Sequence, residues 1–302
     1  MSDDVIILVA AVVADLLFGE PPARVHPVVW MGRLQKWLRA RAPALPAPAF
    51  AWGALMALAG PLVFGGGTAW LLGLTGGLVR ALVAIYLLKS AFAMRALGAA
   101  ALRVRRALDA DDLPAARAAL GHLVSRDTAS LDASLIAAAA VESVAENASD
   151  SIVAPLFFYA IGGVPAAIAY RAINTLDSMI GYRGDLEWLG KCAARVDDAA
   201  NIIPARLTAL LVIATARLGD GSPARAFAVW RRDRARTESP NAGHPMAAMA
   251  GALGITLEKA GVYRLGGGLR APVARDITRA VRVLGGAAAL AVVLVMSVVR
   301  GS

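Results

Sequence analysis

The chain has 302 residues, of which 58% are hydrophobic and only 18% charged, and it carries a net charge of +9. Soluble globular chains carry about 25% charged residues, so this composition argues against an ordinary soluble domain and for a membrane solvent. Ala, Leu and Val dominate over aromatics, which favours helix over sheet, and a single cysteine, Cys192, excludes an intramolecular disulfide.

The expected fold is an all-α, polytopic integral membrane bundle. The basic residues are not interleaved with aromatics as in a single-strand nucleic-acid platform. They read instead as positive-inside loops facing anionic lipid.

Residues 5–18 (VIILVAAVVADLLF) are apolar but short of the ~20 residues of a full span. Asp3 and Asp4 stand where a signal peptide is basic, so this reads as a retained membrane segment. The prolines of FGEPPARVHP dictate an extended path. Arg33, Lys36, Arg39 and Arg41 then place a loop on the cytoplasmic side, and 42–49 reads as a semi-rigid connector. Residues 50–74 and 77–97 predict two spans joined by a Gly-rich turn, with Lys89 and Arg95 snorkelling from the second.

In residues 98–140 Arg and Asp alternate with Ala and Leu. The stretch 98–150 predicts a cytoplasmic amphipathic helical region within one membrane-embedded domain covering 1–302. Asp112 marks a helix start, and Asp127-Thr128 is the expected cap of the helix leading to Glu142. Residues 152–170 are apolar, but Gly162-Gly163-Val164-Pro165 predicts a break in mid-segment and hence a re-entrant hairpin. Residues 202–218 form a further apolar helix, 217–236 a basic loop with six arginines, 242–262 a small-residue stretch suited to close helix packing, and 284–299 a last apolar helix. A common cytoplasmic side for the basic loops requires 50–74 and 77–97 to cross as a pair, 152–170 to be re-entrant and 202–218 to stop short of a full span.

Three polar knots interrupt this apolar sequence: ESVAENASD (142–150), NTLDSMIGYR (174–183) and DDAANIIPAR (197–206). Ionisable groups next to membrane spans are costly and by default mark function. Glu142, Glu146 and Asp150 fall on one helix face at i, i+4, i+8, with Asn147 beside them. Three such carboxylates repel unless a cation, arginines or protonation intervenes, and a hard ion such as Mg²⁺ suits oxygen ligands. The alternative is a solvated helix face. Asn174 and Asp177 are bracketed by Arg171 and Arg183, and Asp197, Asp198 and Asn201 precede Arg206. Carboxylates with arginines suit a Mg-nucleotide, because guanidinium forks grip phosphate oxygens. A structural ion-pair network is the alternative for Asp197–Arg206. SPNAG (239–243) is a turn whose backbone amides could meet an anion. No G-x-x-x-x-G-K-S/T, H-E-x-x-H or G-x-S-x-G occurs, so P-loop, zinc-protease and serine-hydrolase chemistry are unsupported.

The stretches HPVVWMGRL (26–34), SRDTASLD (125–132), ESVAENASDSIVAPLF (142–157), AYRAINTLDSMIGYR (169–183), DDAANIIPARLTALL (197–211) and SPNAGHPMAAMAGALGI (239–255) together resemble the adenosylcobinamide-phosphate synthase family of cobalamin biosynthesis. One departure is Ser125, where glycine is expected before Arg-Asp-Thr. The resemblance implies a multi-pass protein of the cytoplasmic (inner) membrane with its active site facing the cytoplasm. It implies ATP-dependent amide formation between adenosylcobyric acid and (R)-1-amino-2-propanol O-phosphate, with Mg²⁺, through an acyl phosphate. In that reading Glu142, Glu146, Asp177 and Asp198 are the catalytic candidates, and Glu142, Glu146, Asp150 and Asp197 the metal candidates. Arg126, Arg183 and Arg206 would bind phosphates, while Asn147, Asn174, Asn201 and Asn241 orient polar groups. Other late-pathway enzymes and membrane lipid are the expected partners, and nucleic acid is not. A transporter or channel using the same carboxylates, or a non-catalytic scaffold for the pathway, are the alternatives.

Overall fold

A computed structural model describes residues 2–259 and 261–300. The protein is all-α and polytopic. Five helical stretches are long and apolar enough to cross a membrane: Pro46–Leu74, Gly77–Asp109, Ala133–Ile180, Glu187–Gly219 and Ala274–Val299. The backbone divides into two compact units, the first formed by residues up to 93, 154–201 and those from 292 on, the second by 94–153 and 202–291.

The first unit opens with α1 (Asp3–Phe18), α2 (Pro27–Arg39), α3 (Pro46–Leu74) and α4 (Gly77–Ala91). The chain enters the second unit through α5 (Met94–Asp109), α6 (Leu113–Leu120) and α7 (Ala133–Ala148), then continues through a π turn at Ser149–Val153 into α8 (Ala154–Ile180). The chain passes from the first unit back into the second within α9 (Glu187–Thr215). A 3₁₀ turn, α10 (Pro223–Asp233), α11 (Gly243–Leu253) and the antiparallel pair β1 (Leu257–Lys259) and β2 (Tyr263–Leu265) follow, and α12 (Ala274–Val299) ends the described chain.

In the first unit α3 packs on α8 and α1 on α4. Helix α3 is apolar all round and leaves Leu55, Leu58, Leu62, Val63 and Trp70 exposed, the surface expected of a helix facing lipid. The predicted break in 152–170 is present. Gly162 (φ −143°, ψ 25°) and Gly163 (φ 65°, ψ −159°) leave helical geometry inside α8. Phe158 and Tyr170, on either side of the break, stack with ring centroids 5.0 Å apart. In a straight helix at ~1.5 Å per residue they would lie roughly 18 Å apart, so the chain folds back as a hairpin.

The predicted span 77–97 lies within the apolar stretch Gly77–Asp109, whose helix is interrupted after Ala91, where Phe92 is extended (φ −132°, ψ 161°) and buried. Three local expectations are corrected. Lys89 does not snorkel: its ammonium is buried 3.2 Å from Glu20 and 3.7 Å from Asp15, because carboxylates are available to it inside the unit. Asp127 accepts from the Ala129 amide (2.9 Å) in a local turn, and the cap of α7 is Asp132, which accepts from the Leu135 amide at 2.8 Å. The apolar helix predicted from 202 begins at Glu187, which puts the third polar knot in the middle of α9. The cap at Asp112 is as expected and accepts from the Ala115 amide at 2.9 Å.

Close packing of the small-residue stretch is also present, confined to α11. Every residue of that helix is buried. A Cβ on Gly251 would meet the Arg225 carbonyl of α10 at 2.7 Å. Arg225 ties the pair by donating from Nε to the Gly251 carbonyl (2.8 Å) and from Nη2 to that of Ala252 (3.3 Å). Beyond Leu253 the stretch turns into β1, which its composition did not signal.

Candidate functional site

The polar residues singled out by sequence are distributed over three constellations. The first lies in the first unit, where α8 and α9 face each other. Asp197 and Asn201 are one turn apart on α9, and the Asn201 amide donates to one Asp197 oxygen at 2.9 Å. The Asn174 amide of α8 donates to the other oxygen at 3.4 Å. Tyr170 donates its hydroxyl to Asn201 Oδ1 (2.9 Å), and Arg171 donates to Asn174 Oδ1 (3.0 Å). Both Asp197 oxygens are therefore held by amides, and a run of hydrogen bonds connects Tyr170 to Arg171 through the carboxylate. Asp177 and Asp198 are half-buried on the same helices, and Arg183 is exposed in the turn between them.

The second constellation is a cavity of about 170 Å³ in the second unit, lined by Arg126, Glu142, Ser143, Glu146, Lys259 and Tyr263 among others. Ser143 fixes its rim by donating to the Leu123 carbonyl at 3.0 Å. Arg126 Nη2 donates to Glu142 Oε2 at 3.1 Å. The other Glu142 oxygen and Arg126 Nε are buried and find no hydrogen-bond partner among the described residues. The Tyr263 phenol lies against Glu142. Burial first, and then the Glu142 and Glu146 charges, raise it well above the ordinary tyrosine range, so it stays a proton donor. Asn147 is occupied within its own helix, donating to Ser143 and accepting from Ser151 at 3.1 Å.

The third is a larger cavity of about 470 Å³ beside α10, lined by Arg206, Leu210, Trp230, Arg231, Arg234 and His244. Arg206 donates to Asn241 Oδ1 at 3.3 Å. The Trp230 indole donates to His244 Nδ1 at 3.1 Å, and the Arg234 guanidinium sits 5.2 Å over the Trp230 ring. Burial, reinforced by the Arg206 and Arg234 charges, lowers the His244 pKa to about 4. His244 is therefore neutral near pH 7, with Nδ1 accepting from the indole and its proton on Nε2. Two of the SPNAG amides are already engaged within the turn, since Ser239 Oγ accepts from Asn241 N (3.2 Å) and Ala242 N (3.4 Å).

The structure thus brings together Glu142, Glu146 and Arg126, then Asn174, Asp197 and Asn201, and then Arg206 and Asn241. Among the described residues no group of three or more His, Cys, Asp or Glu side chains converges on a common point. Asp150 falls in the π turn at Ser149–Val153 and is not among the residues that line the cavity of Glu142 and Glu146. Sequence reading missed Trp230, Arg231, Arg234, His244, Lys259 and Tyr263 as site residues. His244 lies inside one of the quoted motifs and the arginines inside the basic stretch, whereas nothing local marks Tyr263.

The fold and these constellations define a polytopic helical membrane protein whose polar groups gather in arginine-bearing cavities. A family model described as CobD/Cbib protein matches residues 8–291, and the chain belongs to that family. It is 42% identical over 298 residues to the cobalamin biosynthesis protein CobD of Dehalococcoides mccartyi, covering 97% of each chain. It is 39% identical over 315 residues to the protein of the same name from Klebsiella pneumoniae, covering 95% of this chain and 94% of the relative. It is 42% identical over 282 residues to a probable cobalamin biosynthesis protein CobD of Pyrococcus furiosus, covering 90% and 91%. No solved structure matches the chain.

Proposed function

We propose that this protein acts in cobalamin biosynthesis as an ATP-dependent amide ligase. It would join adenosylcobyric acid to (R)-1-amino-2-propanol O-phosphate and release adenosylcobinamide phosphate, ADP and phosphate. The observation that carries this reading is family membership over nearly the whole chain, since a relative named for cobalamin biosynthesis aligns with 97% of it.

A carboxylate is a poor acylating agent. In the proposed reaction a carboxylate oxygen of the corrinoid attacks the γ-phosphorus of ATP, and the bond to the ADP oxygen breaks. The amine nitrogen then attacks the acyl carbon, inorganic phosphate leaves, and the amine proton passes to a base. The arginine cavity suits the nucleotide. Arg206, Arg231 and Arg234 match phosphate charge, and neutral His244 offers an Nε2–H donor. Glu142 and Glu146 are the base candidates for the amine. Asp177, Asp198 and Arg183 stand as candidates of the first unit, together with the Asn174–Asp197–Asn201 network.

The described residues do not form a metal centre of three or more such ligands. Mg²⁺ is therefore assigned to the nucleotide, whose phosphate oxygens, with water, would supply its ligands, since the arginine cavity has no carboxylate in its lining. We place the protein in the cytoplasmic membrane, with these cavities on the cytoplasmic side where ATP is found.

The test is incubation of the purified protein in detergent with Mg-ATP, adenosylcobyric acid and the amino alcohol phosphate, followed by mass detection of the amide. ATP-dependent product is expected. Absence of product, with ion flux in liposomes instead, would overturn the ligase reading.

A further inference from the structure

We propose that the cavity between α7 and the β1–β2 hairpin binds a small zwitterion, with an ammonium at one end and a phosphate monoester at the other, and so holds the amine substrate apart from the nucleotide. The proposal rests on the ligase reading for the identity of that substrate, but it is carried by the lining of the cavity.

Charge is the first argument. The lining contains two carboxylates, Glu142 and Glu146, and two cations, Arg126 and Lys259. That balance complements a molecule with both charges and would repel a polyanion from the carboxylate side. The cavity beside α10 has the opposite character, with three guanidiniums and no carboxylate in its lining. It suits a polyphosphate.

Size is the second. The α7 cavity holds about 170 Å³ against about 470 Å³ beside α10. Sites for drug-sized ligands and cofactors run from roughly 300 to 1,000 Å³. The larger cavity falls in that range. The smaller falls below it and suits a ligand of few heavy atoms.

Unmet hydrogen-bonding capacity is the third. Glu142 is 5% exposed, and its Oε2 is held by Arg126 while its Oε1 has no hydrogen-bond partner among the described residues. Buried polar atoms are almost always partnered, so an orphan in a cavity calls for a ligand. An ammonium supplies the missing donor. Arg126 Nε is likewise buried without an acceptor, which a phosphate oxygen supplies. The Tyr263 phenol, which lies against Glu142 and reaches Met246 Sδ at 3.8 Å, adds a neutral donor to the same cavity.

The experiment is calorimetric titration of the full-length protein in detergent with 1-amino-2-propanol O-phosphate, alone and with MgADP and adenosylcobyric acid present. Free 1-amino-2-propanol, inorganic phosphate and MgADP are titrated separately. Saturable binding of the amine phosphate is expected, with each fragment at least tenfold weaker. Glu142→Gln and Lys259→Met should each weaken amine-phosphate binding tenfold or more while MgADP affinity stays put. Tyr263→Phe, which keeps the ring, should give a smaller loss in the same direction. Arg234→Ala should show the reverse pattern. The site assignment is overturned if the amine phosphate fails to bind under both conditions, if the first three variants leave its affinity unchanged, or if they weaken MgADP instead. Amide synthesis is assayed in parallel. Product formation with unaltered binding in the variants would remove the site and keep the ligase, whereas variant-sensitive binding without any product would keep the site and remove the ligase.

Discussion

Glu142 sits among alanines and valines on a helix whose central residues are all buried, and it is tolerated there because Arg126 reaches it from the preceding loop. Removing one partner of a buried ion pair strands the other charge and costs about 3–5 kcal/mol. Glu142→Ala is therefore expected to lower the thermal midpoint sharply, and Glu142→Gln, which keeps volume and hydrogen bonding, much less. Both should abolish amide synthesis, and an active Glu142→Gln enzyme would remove this carboxylate from the chemistry. His244 yields a pH prediction. Its folded pKa is lowered to about 4, against about 6.5 in an unfolded chain. Between those values the unfolded state takes up a proton that the folded state refuses. The stability contributed by this group is thus complete above about pH 6.5 and is lost as pH falls towards 4. Replacing His244 by Gln should flatten thermal midpoint against pH across that window, and an unchanged slope would show that other groups carry it. At this scale the carboxylates were legible as candidates because ionisable residues stand out in apolar sequence. Their partners were not, since nothing near Tyr263 or Trp230 signals which cavity each will line.

Two elements show how much a local signal can carry. The Gly-Gly-Val-Pro interruption of α8 was readable because glycine admits a left-handed backbone that other residues adopt only at a cost. Gly163 uses it, at φ 65°. Gly163→Ala should destabilise the hairpin by roughly 1–3 kcal/mol, since φ 65° with ψ −159° is a region open essentially to glycine alone, seen as a lower thermal midpoint in detergent. An unperturbed midpoint would mean that the chain turns elsewhere. The helix α4 teaches the opposite lesson. Its end at Phe92 has no glycine or proline to announce it, and Lys89, which its sequence position sends to the membrane surface, is drawn inward by Asp15 and Glu20. Lys89→Met is expected to cost about 3–5 kcal/mol, by leaving the buried Asp15 carboxylate without that cation. Asp15→Asn in the Lys89→Met background should recover part of it, and equal stability of Lys89→Met and the unaltered protein would show the Lys89–Asp15 pair to be inert.

At the scale of the molecule, each unit carries its own polar constellations within an apolar frame. The second unit holds one cavity of balanced charge and one of positive charge, and the first holds the Asp197 network. Composition, helical class, the five apolar stretches, the interruption of α8 and the family motifs were all determined by the sequence alone, because hydropathy, backbone preference and motif identity are properties of neighbouring residues. Only the tertiary structure decided that Arg126 and Lys259 share a cavity with Glu142, that Asp197 is held between two asparagines, and that the arginines beside Trp230 form a pocket as well as a basic surface. Those outcomes depend on which helix faces pack together, and the pairing of charges across such faces is settled by distance and burial in space, which the order of residues along the chain does not encode locally.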